Sequence, residues 1–149
     1  MKKILIVCIT ILIMGGCKPQ KPLTPAQAFE SVKRAVYMND SNDFYNLLSR
    51  RTKSKMMKAS KTMQSLSVQQ HRNLAKSLKI SPSVLKNVTP QQYIQFYLAD
   101  RDNAVIKAIK DRRISIKKGS KNAVVEVSSG IELNFVKEGP YWLLDLTDH

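Results

Sequence analysis

Residues 112–146, RRISIKKGSKNAVVEVSSGIELNFVKEGPYWLLDL, decide the fold. Ile114 and Ile116 alternate with polar neighbours, Ala123 to Val127 make a second run, and Ile131, Leu133 and Phe135 alternate in a third. Successive side chains of a strand point to opposite faces, so a period of two reads as strands with one apolar face. Gly119-Ser120, Ser129-Gly130 and Glu138-Gly139-Pro140 separate the runs, and the last leads into a fourth that carries Trp142. Short polar turns between four such runs predict an antiparallel meander.

Upstream of Asp111 the period is helical. Thr24-Pro25-Ala26-Gln27 offers a capping hydroxyl, a proline at the first helical position and a glutamine to complete a capping box. Phe29, Val32, Ala35 and Val36 then share one face, and the helix should end near Met38-Asn39-Asp40. Asp40 or Ser41 caps the next, which carries Phe44, Leu47 and Leu48. Met56, Ala59, Met63 and Leu66 mark a further face. Ser67 to Gln70 forms a capping box ahead of Val68, His71, Leu74, Ala75 and Leu78, and Ser81-Pro82 marks a short turn. Thr89-Pro90-Gln91-Gln92 opens a long helix running through Tyr93, Ile94, Phe96, Tyr97, Leu98, Val105 and Ile109. Helices first and strands after predict an α+β fold, with N-terminal helices packed on a C-terminal four-stranded antiparallel curved sheet. Residues 24–149 form one domain, helical over 24–111 and sheet over 112–149.

The chain before this domain has another character. Lys2 and Lys3 precede an apolar run from Ile4 to Met14, and Gly15-Gly16-Cys17 follows. Charge, short apolar run and small residues are the parts of a secretory signal. A spanning helix needs roughly 20 apolar residues, about twice this run. Met14-Gly15-Gly16-Cys17 resembles the lipobox of a bacterial lipoprotein signal, with Met14 where leucine is usual. The resemblance implies removal of residues 1–16 by cleavage between Gly16 and Cys17. It also implies a diacylglyceryl group on the Cys17 thiol, with acyl chains of the palmitate type. The protein would then be a membrane-anchored component of the bacterial cell envelope. Lys18, rather than aspartate, after the cysteine favours the outer membrane, facing the periplasm, in a Gram-negative cell. Residues 17–23, with Pro19 and Pro22, would form a lipidated tether spanning about 20 Å. Cys8 lies in the signal and Cys17 carries the lipid, so of the two cysteines none is left for a disulfide, a zinc cluster or a thiolate nucleophile.

A second resemblance rests on Ala28-Phe29 through Asn39-Asp40, Asp43-Phe44-Tyr45-Asn46-Leu47-Leu48-Ser49, and Tyr141-Trp142-Leu143-Leu144-Asp145-Leu146. These are similar to the start and last strand of nuclear-transport-factor-2-like (SnoaL-like) cone domains. The resemblance implies a cone-shaped α+β domain, which in some relatives holds an apolar ligand between sheet and helices. It covers both ends of the chain, while the helical middle is longer than such a domain needs.

Charge is the strongest compositional signal. The chain carries 25 Lys and Arg against 11 Asp and Glu, a net charge of +14. Between Asp43 and Asp100 there is no acid, yet Arg50, Arg51, Lys53, Lys55, Lys58, Lys61, Arg72, Lys76, Lys79 and Lys86 all fall there. Such a block is either a solvated helical face or a surface for an anionic lipid, an acidic polysaccharide or an acidic protein. Nucleic acid would match the charge but is not expected by an exported, lipidated chain. Met56, Met57, Met63, Tyr93, Phe96, Tyr97 and Trp142 either fill the core or line a pocket for a lipid or small apolar ligand.

A non-enzymatic role is the expectation; the weaker alternative, an enzyme on a cone fold, would need a polar cluster around His71 or Asp145. His71 sits among Val68, Leu74 and Leu78, as a packing histidine would, and His149 ends the chain. Asp100 and Asp102 cannot share a helical face two residues apart, and Asp145 stands by itself on the last strand. No nucleophile elbow, phosphate loop or dinucleotide fingerprint occurs, and no residue pattern calls for a cofactor or metal.

Overall fold

The computed structural model describes residues 21–148. The lipobox, Cys17 and His149 lie outside the described residues. The element order is α1 (Pro25–Tyr37), α2 (Ser41–Asn46), α3 (Arg50–Gln64), α4 (Val68–Leu78), α5 (Pro82–Lys86), α6 (Pro90–Ala99) and α7 (Ala104–Lys110), then β1 (Arg113–Lys118), β2 (Asn122–Val127), β3 (Glu132–Glu138) and β4 (Tyr141–Asp145). The strands form one antiparallel sheet in the order β1-β2-β3-β4. This is the α+β meander that the period of two predicts.

Helix starts follow the capping chemistry. Ser67 with Gln70, and Thr89 with Gln92, make complete capping boxes at α4 and α6. At α1, Thr24 accepts from the Gln27 amide as expected, but the Gln27 side chain accepts instead from Leu23 N, at 3.0 Å. Asp40 caps α2.

The long helix expected over 89–109 is two helices. Ala99 ends α6, Asp100 turns extended, and the Asn103 side chain accepts from the amides of Val105 and Ile106 to start α7. A side chain that caps competes with helix continuation, and Asn103 wins that competition here. Asp100 and Asp102 therefore lie in a loop, where the Asp102 amide donates to Asp100 Oδ1. Ser81-Pro82, expected as a turn, opens the short helix α5.

One sheet face is dry. Val125, Leu133, Phe135, Trp142 and Leu144 are buried there under α1, with Phe29, Val32 and Val36, and α7, with Ile109, while Ile94 of α6 extends the same core towards α2 and α3. Burying each such side chain stabilises the fold by about 1.5–3 kcal/mol before entropy is counted. β1 fits the alternation poorly. Its pairing slips between Arg113 and Ser115, and Ile114 at that slip is 59% exposed, while Ile116 packs partly on the core. A bulge on an edge strand turns one residue out of the pleat. Val68, expected on the apolar face of α4, is likewise exposed at 58%.

The other sheet edge is covered. Leu48 bridges Leu144 in parallel, Ser49 N donates to Leu144 O at 2.8 Å, and Leu144 N donates to Leu47 O at 2.9 Å. Leu47-Leu48-Ser49 thus blunts the open edge of β4, and Ser49 then caps α3. Residues 21–23, assigned from sequence to the tether, belong to the body. Pro22 is buried, and its carbonyl accepts from Trp142 N at 2.9 Å.

Candidate functional site

Helix α3 buries only the stripe Thr52, Met56 and Ser60. With 3.6 residues per turn, the rest of its surface faces outward. That surface carries Arg50, Arg51, Lys55, Lys58 and Lys61, all exposed, with Lys53 half-buried at its flank. Arg51, Lys55 and Lys58 recur at helical spacing and, with Ser54 and Thr147, line an open depression of about 400 Å³. Arg72 and Lys76 on α4, Lys79 at its C-cap and Lys86 on α5 are exposed as well, and among the described residues none of them has an acidic partner within 4 Å.

The block is not wholly unopposed, as its acid-free sequence suggests. The sheet supplies what the sequence neighbourhood lacks. Glu138 of β3 lies 3.4 Å from Arg50 Nε and also accepts from the Arg50 amide. Asp145 of β4 lies 3.8 Å from the Arg51 guanidinium. Lys55 Nζ donates to Leu146 O at 2.9 Å. The two guanidinium groups remain 90% and 71% exposed, so each pair is worth under about 1 kcal/mol and leaves the cation available to an outside anion.

A second cleft, of about 350 Å³, lies between the first turn of α3 and the β3–β4 turn. It brings Lys21, Arg50 and Lys53 together beside Glu138 and Tyr141. Lys53 Nζ donates to Asn46 O at 3.2 Å and sits 5.2 Å from the centre of the Tyr45 ring. Burial, and then the nearby charge of Lys21, hold this ammonium below its ordinary pKa, against the pull of Glu138. Lys21 was missed in sequence because nothing near it in the chain marks it.

The proposed pocket residues separate. Tyr93, Phe96 and Tyr97 line an open cleft of about 560 Å³ between α4 and α6, with Leu78, Ala99 and Arg101. Burial raises the Tyr97 hydroxyl pKa above its ordinary value. Met56 and Trp142 are instead core residues, Met63 is half-buried on α3, and Met57 is exposed.

The polar candidates are engaged in packing. Buried His71 has Nε2 2.8 Å from Met63 O, linking α4 to α3. Buried Asp145 accepts from Thr52 Oγ1 and from both the amide and the hydroxyl of Thr147. Among the described residues no group of three or more His, Cys, Asp or Glu could hold a metal, and no helix is long and apolar enough to cross a membrane.

No family model, curated protein or solved structure matches the chain.

Proposed function

We propose that this chain is a non-enzymatic, lipid-anchored protein of the bacterial cell envelope, which meets an anionic partner or membrane surface through its basic helices. The observation that carries the reading is the outer surface of α3, where cations follow one another from Arg50 to Lys61 with no acid on the helix. The lipobox resemblance supports the location.

The physical division of labour follows from magnitudes. One acyl chain holds a protein only marginally at a bilayer, while two hold it stably. A diacylglyceryl group on Cys17 would therefore secure attachment without the cations. Each basic residue close to an anionic leaflet adds about 1 kcal/mol, within a screening distance of about 8 Å. The cations then determine how the body lies and what it touches. Cys17→Ser is expected to abolish the diacylglyceryl mass on the mature N-terminus and to move the protein out of the membrane fraction. Unchanged mass and fractionation would sink the anchor.

A second reading rests on the cleft of Tyr93, Phe96 and Tyr97, whose rings could hold an acyl chain or another small apolar ligand. On that reading, native mass spectrometry of the protein released from membranes finds a co-purified lipid beyond the one on Cys17. A clean apo mass would count against it.

A further inference from the structure

We propose that the end of the sheet where the chain enters is the pole that faces the bilayer, with anionic phospholipid head groups as its occupant. This rests on the lipid anchor argued above and says which way the anchored body points.

The meander places the β1–β2 and β3–β4 turns at the same end. Lys118 pairs with Ala123, Glu138 pairs with Tyr141, and Lys137 N donates to Lys121 O at 2.7 Å. The chain enters here too, because Pro22 is bonded to Trp142 at the start of β4. Cys17 is four residues before Lys21, a reach of at most about 14 Å even when fully extended.

Six cations meet at this end from stretches far apart in sequence: Lys21, Arg50, Lys53, Lys118, Lys121 and Lys137. Glu138 stands against them and is already engaged by Arg50. Lys21 Nζ lies 5.2 Å from the Tyr141 ring centre and Lys118 Nζ lies 5.9 Å from that of Trp142. The opposite end of the sheet has Arg112 and Arg113 beside Asp111, but a six-residue strand puts it about 20 Å away, beyond the reach of the tether. Arg72 of α4 follows His71, which is bonded to Met63, and Met63 lies about 20 Å along α3 from Arg50. Reach and charge therefore select the same pole.

The test uses the lipidated chain in phosphatidylglycerol vesicles, spin-labelled at a single added cysteine. Cys8 and Cys17 are its two native cysteines, so the added thiol is the one that reacts. A label at Ser120→Cys is expected to be shielded from a water-soluble relaxant, while one at Ser129→Cys on the far turn stays open. Shielding at 120 should be lost in phosphatidylcholine vesicles and in the triple variant Lys118→Glu, Lys121→Glu, Lys137→Glu. For unlipidated chains spanning 18–149, that triple should cut vesicle partitioning by at least about fivefold for each reversed charge, and Arg72→Glu, Lys76→Glu, Lys79→Glu by much less. Equal access at 120 and 129 in protein that still floats with the vesicles overturns the orientation and leaves the anchor standing. A mature chain without the lipid mass, failing to float, overturns both.

Discussion

At the scale of single residues, the polar groups that look like chemistry in the sequence turn out to be joints. Thr52 is fully buried on α3; its hydroxyl accepts from Leu146 N at 2.8 Å and donates to Asp145 Oδ1 at 3.2 Å. Ser49 closes the same network, donating to Thr52 Oγ1 at 3.0 Å. One threonine thus fastens the first turns of α3 to the end of β4. Thr52→Val keeps the shape and removes the hydroxyl, leaving a buried amide and a buried carboxylate short of a partner. It should cost about 1–3 kcal/mol, read as a lower urea midpoint. An unchanged midpoint would show that the joint carries no load. Asp145 was legible as an acid on an apolar strand with Thr147 two residues on, but its partners Thr52 and Arg51 come from α3, which no local pattern reveals. Lys21 and Lys118 were equally silent, because folding alone brings them to one end of the sheet.

Elements were legible wherever the signal is local. The capping residues Thr24, Asp40, Ser67 and Thr89 mark helix starts, and Gly130 and Gly139, with φ of 79° and 60°, occupy backbone that L side chains avoid. The break between α6 and α7 was missed because the apolar spacing runs on across it. Asn103 ahead of Ala104-Val105-Ile106 was the available sign. The bulge at Ile114 could not be read, since it arises from pairing with β2 rather than from the sequence of β1. Another junction between elements yields a pH prediction. The Asp111 carboxylate, at the end of α7, accepts from Ser128 Oγ, from Arg112 N at 2.7 Å and from Ser129 N at 2.8 Å. It ties that helix to the β2–β3 turn. These bonds, Ser128 first, hold its pKa below the usual carboxylate value. A carboxylate depressed in the fold stabilises above its unfolded pKa and ceases to do so as pH falls through the folded one. Asp111→Asn should therefore melt below the parent at pH 7, and the two curves should converge as pH drops beneath about 4. A gap that stays constant with pH would assign the role to shape rather than charge.

For the whole molecule, the fold class was readable from the switch between periods at Asp111, while the charge surface was not. The acid-free run from Arg50 to Lys86 correctly marks α3 as cationic, yet Glu138 and Asp145 approach it from strands almost a hundred residues later. Other cations gather beside the chain entry from both hairpins. If residues 17–20 tether this body to a bilayer, its basic surfaces lie within a few screening lengths of lipid phosphate. The most direct check uses the unlipidated chain, residues 18–149, with phosphatidylglycerol vesicles across a salt series. Binding should be strong at low salt and fall steeply as ionic strength rises through about 0.15 M. Binding that is absent at low salt, or indifferent to salt, would contradict the account.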